Sequence, residues 1–259
     1  MSTILANKFR ALLVNLLFFS VFTSPVFSNP SSSIQELTAL IDKDSSNPLL
    51  YIKRGDVYFK NRDFFDAVED YTIAIELDAE ADQAYFGRGM ALARQGMISE
   101  GIDDLSKFIK RNPKSSLAYT KRGVRYMWLQ DYNNAEKDLK KALILDPENA
   151  EAHDDIGVIY AKKQKYNKAI EHFTSTIQID PSYQKGYHNL AMTLFLVEQD
   201  AGALLMINQA LELNPNHRDA LMLKSLILEK LGRHEEAALI KEDAEFLPET
   251  NWSESVPVQ

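Results

Sequence analysis

The sequence contains no cysteine. That removes disulfides, thiolate catalysis, cysteine-ligated zinc and a lipidated N-terminal cysteine together. A basic excess is also missing: 29 Lys and Arg stand against 37 Asp and Glu, a net charge of -8. Binding to a nucleic-acid backbone needs the opposite balance, so nucleic acid is not an expected partner. The basic clusters Lys137–Lys141 and Lys162–Lys165 read as solvated helix faces and turns. Glycine and proline are sparse, at 10 and 9 residues, and 45% of the chain is hydrophobic, which fits an ordinary folded protein. No glycine-rich phosphate loop follows a strand pattern. None of the five histidines (His153, His172, His188, His217, His234) shares a metal-binding helical spacing with another. The triplet His153-Asp154-Asp155 hints at a cluster, but adjacent helical residues point in different directions. No catalytic, cofactor-binding or metal-binding residue is therefore assigned, and no enzyme activity is expected.

What the chain does contain is a period. In residues 116–149, Tyr119, Gly123 and Tyr126 share one helical face. Ala135, Leu139 and Ala142 repeat that spacing, and Pro147 closes the unit. Steps of 34 residues from Gly123 reach Gly55, Gly89, Gly157, Ala191 and Ser225. The same steps from Ala135 reach Ala67, Gly101, Ala169, Ala203 and Ala237. Small residues in both helices allow close approach, and neither helix can bury its apolar face alone.

Residues 1–28 have the layout of a secretory signal peptide: Lys8 and Arg10, an apolar run Ala11–Phe22 of about a dozen residues, then small side chains at Val26 and Ser28. The run is shorter than the roughly 20 residues of a membrane span. The chain is thus expected to be exported, periplasmic or secreted, with no membrane span after cleavage and a membrane anchor if the signal is retained. Residues 29–47 are expected to form a cap helix, opened by a capping box Ser33-Ile-Gln-Glu36 and ended by Asn47-Pro48. It would lie where a preceding unit's second helix belongs. Six helix–turn–helix units follow over 48–247: 48–81, 82–115, 116–149, 150–183, 184–217 and 218–247. Unit two departs at Gly101 and at Phe108, a large-for-small exchange read as compensation. Unit five has an unusually apolar second helix, Ala203–Ile207, read as core packing or as a contact patch. Unit six ends in a helix expected to be polar on its outer side. Residues 248–259 read as a disordered tail.

A 34-residue helix–turn–helix period with this pattern of small and aromatic residues resembles the tetratricopeptide repeat (TPR) family. The resemblance implies an all-α, right-handed α-solenoid of about six units with an N-terminal cap helix. It also implies a protein or peptide partner held in a concave groove lined by the first helix of each unit. The groove residues it implies are Ile52, Lys53, Asp56, Phe86, Met90, Arg94, Lys121, Val124, Trp128, Asp155, His188, Asn189 and Met192. Chaperone-binding members clamp a carboxylate with Lys/Asn pairs and an Arg. The matching positions here are Ile52, Asp56, Gly87, Leu117 and Lys121, so that clamp is absent. Arg54, Arg88 and Arg122 recur before the unit glycine and are read as pairing with acids of the adjacent second helix, the alternative being a ladder that reads an acidic partner. With the export signal, the chain looks like the envelope TPR adaptors of the NlpI-like group, though it lacks their lipidated cysteine. A non-catalytic adaptor in envelope assembly or maintenance is the expectation. The alternatives are a self-assembling scaffold, hence a homo-oligomer, and a recruiter of a cell-wall or membrane-complex enzyme.

Overall fold

The structure, a computed structural model, describes residues 30–248. The expected signal peptide lies outside the described residues, as does the tail from residue 249. Among the described residues there are 13 helices and no strand. A lone helix α1 (Pro30–Ile41) precedes six pairs: α2 (Pro48–Lys60) and α3 (Phe64–Leu77); α4 (Asp82–Arg94) and α5 (Ile98–Arg111); α6 (Ser116–Trp128) and α7 (Tyr132–Leu145). The chain continues with α8 (Ala150–Lys162) and α9 (Tyr166–Ile179), α10 (Gln184–Leu196) and α11 (Asp200–Leu213), and α12 (Arg218–Lys230) and α13 (His234–Glu245).

Local chemistry sets the ends of these helices. Asn47, Ser115 and Asn149 cap first helices, their side-chain oxygens accepting from the amides of Leu49, Ala118 and Ala152. Two expectations at the N-terminal end are corrected. Ser33 lies inside α1, which already begins at Pro30, rather than at its N-cap position. Asn47 and Pro48 open α2 rather than close α1, because proline's fixed φ and missing N–H suit the first helical turn. Each first helix ends on a left-handed residue at the same place in the unit: Arg62, Gly96, Gln130, Gln164, Glu198 and Gly232, with φ between 56° and 90°. The next amide then reaches back five positions, as Asp63 N to Tyr58 O and Lys165 N to Tyr160 O, and satisfies an end carbonyl. Asp146, Asp180 and Asn214 stop second helices in extended conformation ahead of a proline.

The pairs stack in chain order, each touching its neighbours in sequence. First helices of successive units also touch one another, whereas second helices of successive units do not. The first helices are therefore the inner, concave side of an α-solenoid and the second helices the outer side. Small residues set the spacing inside each pair. A Cβ on Gly157 would stand 2.5 Å from the Phe173 ring, and one on Gly89 would stand 2.8 Å from the carbonyl of Gly101. Gly101 thus matches Gly89, backbone against backbone. Phe108 does something separate: its ring packs 5.1 Å from that of Phe86. The compensation expected between Gly101 and Phe108 is corrected accordingly.

Arg54, Arg88 and Arg122 tie the first three units together. Each donates two bonds to a buried aspartate of its own second helix: Asp70 at 2.8 and 2.8 Å, Asp104 at 2.6 and 3.1 Å, Asp138 at 2.7 and 2.8 Å. The remaining nitrogen reaches back to the preceding element, at Thr38, Thr72 and Ser106. Thr38 belongs to α1, so the lone helix presents the same hydroxyl that a full unit's second helix would.

In unit five, Ala203 and Ile207 are buried and Leu204 and Met206 half-buried, which makes the 203–207 stretch mainly core; within it Leu205 faces out. The outer side of α13 is mostly polar, with Glu235, Glu236, Lys241, Glu242 and Asp243 exposed, but an apolar residue on it and another just past its end are exposed too. Leu239 and Phe246 are 63% and 82% exposed, because only Ala237 and Ala244 are buried against α12.

Candidate functional site

The concave face is built from first-helix positions that recur every 34 residues. One such position holds Asp56, Met90, Val124, Val158, Met192 and Leu226. From unit two onward it is a continuous apolar row, half-buried or exposed at every member. One turn further along, Trp128 and Leu196 are exposed at 38% and 52%. Met90 and Val158 also pack against the core, whereas Met192 and Leu226 stand exposed, so the row is only partly used by the fold itself.

The residues expected in the groove divide into two groups. Lys53, Asp56, Phe86, Met90, Arg94, Lys121, Val124, Trp128, Asn189 and Met192 are exposed or half-buried. Ile52, Asp155 and His188 are buried, so they support the face without forming its surface. Several of the first group are engaged. Asp56 accepts from Tyr71 Oη at 2.7 Å, and Lys121 pairs with Glu151 at 2.7 Å. Asn189 Nδ2 donates to Asp154 Oδ1 at 2.8 Å. Phe86 lines an open depression of about 300 Å³ with Asp56, Gln83, Gly87, Phe108, Ser115 and Leu117.

Behind the row lie polar groups that the sequence pattern concealed. Asp154 and Asp155 are both buried, and both face Lys185, at 2.8 and 3.7 Å. The expectation that neighbouring side chains diverge is corrected: one lysine from the next first helix gathers both carboxylates. Burial pushes the Asp155 carboxyl up, while the two carboxylates hold the Lys185 ammonium above its ordinary value against the effect of burial. His153 Nδ1 lies 3.1 Å from His172 Nδ1, and the His188 and His217 rings are 6.2 Å apart. Burial pushes His172 and His188 down to about 4, so both are neutral at pH 7. Arg125 is the other residue missed. Its signal was legible as one charge in a column that otherwise reads Val57, Ala91, Ile159, Thr193 and Ile227. No group of three or more His, Asp or Glu among the described residues is placed to hold a metal ion. No described helix is long and apolar enough to cross a membrane.

Family models named tetratricopeptide repeat match residues 52–116 and 201–246, and 116–149 and 150–183. The chain belongs to the tetratricopeptide repeat family. No curated protein sequence is significantly similar to it. Among solved structures, a TPR protein from Parabacteroides merdae superposes with a TM-score of 0.68 at 22% identity, over 86% of this chain and 88% of that one. A chain of the APC/C hetero-tetramer Cut9-Hcn1 gives a TM-score of 0.74 at 16% identity over 83% of this chain, and this chain spans only 43% of that one. YrrB, described as a TPR protein with an unusual peptide-binding site, gives 0.56 at 24% identity over 74% of this chain and 98% of that one. At such identities the likeness is one of fold. A TPR solenoid of this kind is a protein–protein interaction scaffold, and TPR proteins are typically non-catalytic.

Proposed function

We propose that this TPR protein is an exported, non-catalytic adaptor that holds a partner protein by an extended segment along its concave face. The observation that carries the reading is the unbroken apolar row Met90, Val124, Val158, Met192 and Leu226, reachable from the groove in five successive units. A row of that kind suits the alternating side chains of an extended peptide, with specificity coming from polar groups beside it. The peptide-binding site described for YrrB is consistent with such use of the fold. Export rests on the signal-like segment 1–28, and it points to envelope assembly or maintenance, either directly or by recruiting a cell-wall or membrane-complex enzyme.

The test is an affinity capture from envelope extract with the chain beginning at Asn29, beside a Val158→Glu, Met192→Glu variant of unchanged helicity. A protein retained by the parent and lost from the variant is expected. Identical retention by both would remove the concave face from the account. N-terminal sequencing of the natural protein tests export, and an intact Met1 would refute cleavage. A second reading, self-association through the array end, is favoured by the exposure of Leu239 and Phe246. It predicts a sedimentation coefficient that rises with concentration and stops rising in Leu239→Lys, Phe246→Lys.

A further inference from the structure

Arg125 is only 3% exposed, yet its charge is not matched. Nη1 donates to the carbonyl of Lys121 at 3.3 Å, while Nε and Nη2 are buried without any partner. The carboxylates that favour its charge are committed elsewhere, Glu151 to Lys121 and Asp155 to Lys185. Burial, together with the neighbouring Arg94 guanidinium, pushes Arg125 down to about 10, which still leaves it protonated at neutral pH. A guanidinium that is charged, desolvated and short of two hydrogen bonds is costly in the free protein, and an incoming anion relieves that cost.

The surroundings point to where such an anion would arrive. The Arg125 guanidinium carbon is 4.8 Å from the centre of the Trp128 ring, and that of Arg94 is 5.5 Å from the same ring. Trp128 is 38% exposed, so two cations meet at an indole reachable from the groove. Met90 and Val124, members of the apolar row, belong to the same two helices, α4 and α6. The residues differ from those of the carboxylate clamp excluded above: Arg94, Arg125 and Trp128 lie at least one helical turn further along α4 and α6 than the clamp positions.

We propose that Arg125, Trp128 and Arg94 form a carboxylate-binding subsite in the groove, selecting partner segments in which an Asp or Glu is flanked by apolar residues. This rests on the peptide-binding reading of the concave face and names the chemistry of the peptide. The carboxylate takes the two open nitrogens of Arg125, and the Trp128 indole shifts to admit it. Apolar residues on either side of the acid lie on Met90 and Val124. Arginine suits the role because its planar fork can grip both carboxylate oxygens.

The test is a selection of displayed random twelve-residue peptides on the whole chain, on Arg125→Met and on Val158→Glu, Met192→Glu. Arg125→Met is expected to fold, since apolar residues fill the same place in units two, four and six. The expected result is enrichment of Asp or Glu at one fixed position among peptides selected by the parent. Arg125→Met should abolish that enrichment and weaken a selected acidic peptide at least about tenfold, leaving its Gln counterpart unchanged. In a Trp252→Phe background, the acidic peptide should also shift Trp128 emission. Enriched peptides without an acidic preference, or an acidic preference that survives Arg125→Met, would overturn the subsite and leave the groove standing. Peptides that bind the Val158→Glu, Met192→Glu variant equally well, or no enrichment on the parent, would overturn the groove reading itself. If Arg125→Met does not fold, Arg94→Gln takes its place, with the same loss of acidic preference expected.

Discussion

Units one to three and units four to six share one backbone geometry but hold their helix pairs together by different chemistry. In the first half, Arg54, Arg88 and Arg122 each clamp a buried aspartate and a hydroxyl of the preceding element. In the second half the arginine's place is taken by Ile156, Leu190 and Lys224, and the aspartate's by His172, Met206 and Ile240. Ile156 is fully buried and Leu190 nearly so. The same inter-helix gap is thus filled by a bidentate ion pair or by hydrocarbon, which accords with the near balance of desolvation and attraction in a buried pair. The polar investment of the second half lies elsewhere, between first helices, in the Asp154–Asp155–Lys185 group.

That contrast can be broken most strongly at Lys185. Lys185→Met leaves two buried carboxylates without their cation, and a loss of about 3–5 kcal/mol in urea-induced unfolding is expected. In the first half, Asp138→Ala strands the largely buried Arg122 and should cost about 3 kcal/mol. The double change Arg122→Leu, Asp138→Met installs the unit-five pair and should return most of that loss, within about 1 kcal/mol of the parent. If the double variant is as unstable as the single, the two halves are not interchangeable.

Packing differs between the halves at single glycines. Gly157→Ala drives a methyl to 2.5 Å from the Phe173 ring and should cost about 1–3 kcal/mol. Gly202→Ala meets only Leu194, at 3.6 Å, and should instead stabilise α11 by about 0.5–1 kcal/mol. Melting temperatures of the two variants should move in opposite directions.

Acid sharpens the comparison more gently. His188 titrates near 4 in the fold and about 6.5 in the unfolded chain. The unfolded state therefore binds more protons between those values, and the stability contributed by neutral His188 is lost as pH falls through that window. A loss of about 1–2 kcal/mol between pH 7 and pH 5 is expected from His188 alone. Asp155, raised by burial, works the other way over the same range. Equilibrium unfolding of His188→Leu at both pH values should show a shallower dependence, centred on the second half.

Much of the solenoid was legible because its determinants are local and periodic. The small residues at Gly55, Gly89, Gly123 and Gly157, the prolines at 113, 147, 181 and 215, and the arginine ladder with its acidic partners all follow from one 34-residue comparison. The groove was less legible, because exposure depends on which side of a first helix faces its neighbour. Ile52, Asp155 and His188 sit at positions that look inward in the pattern and are covered in the structure. The left-handed turn was half hidden as well: Gly96 and Gly232 announce it, but Arg62, Gln130, Gln164 and Glu198 adopt the same φ without a glycine.

The sequence by itself determined the repeat, the number of helix pairs and the residues that set their spacing, since a period of apolar and small side chains admits one way of burying them. Only the tertiary structure decided which first-helix side chains remain open to the groove. It alone brought Asp154 and Asp155 to Lys185 and left two nitrogens of Arg125 without partners beside Trp128. The Asp154–Asp155–Lys185 contact, like that of Arg94 with Trp128, joins residues from different units, and its distance is fixed by how helices stack rather than by any spacing along the chain.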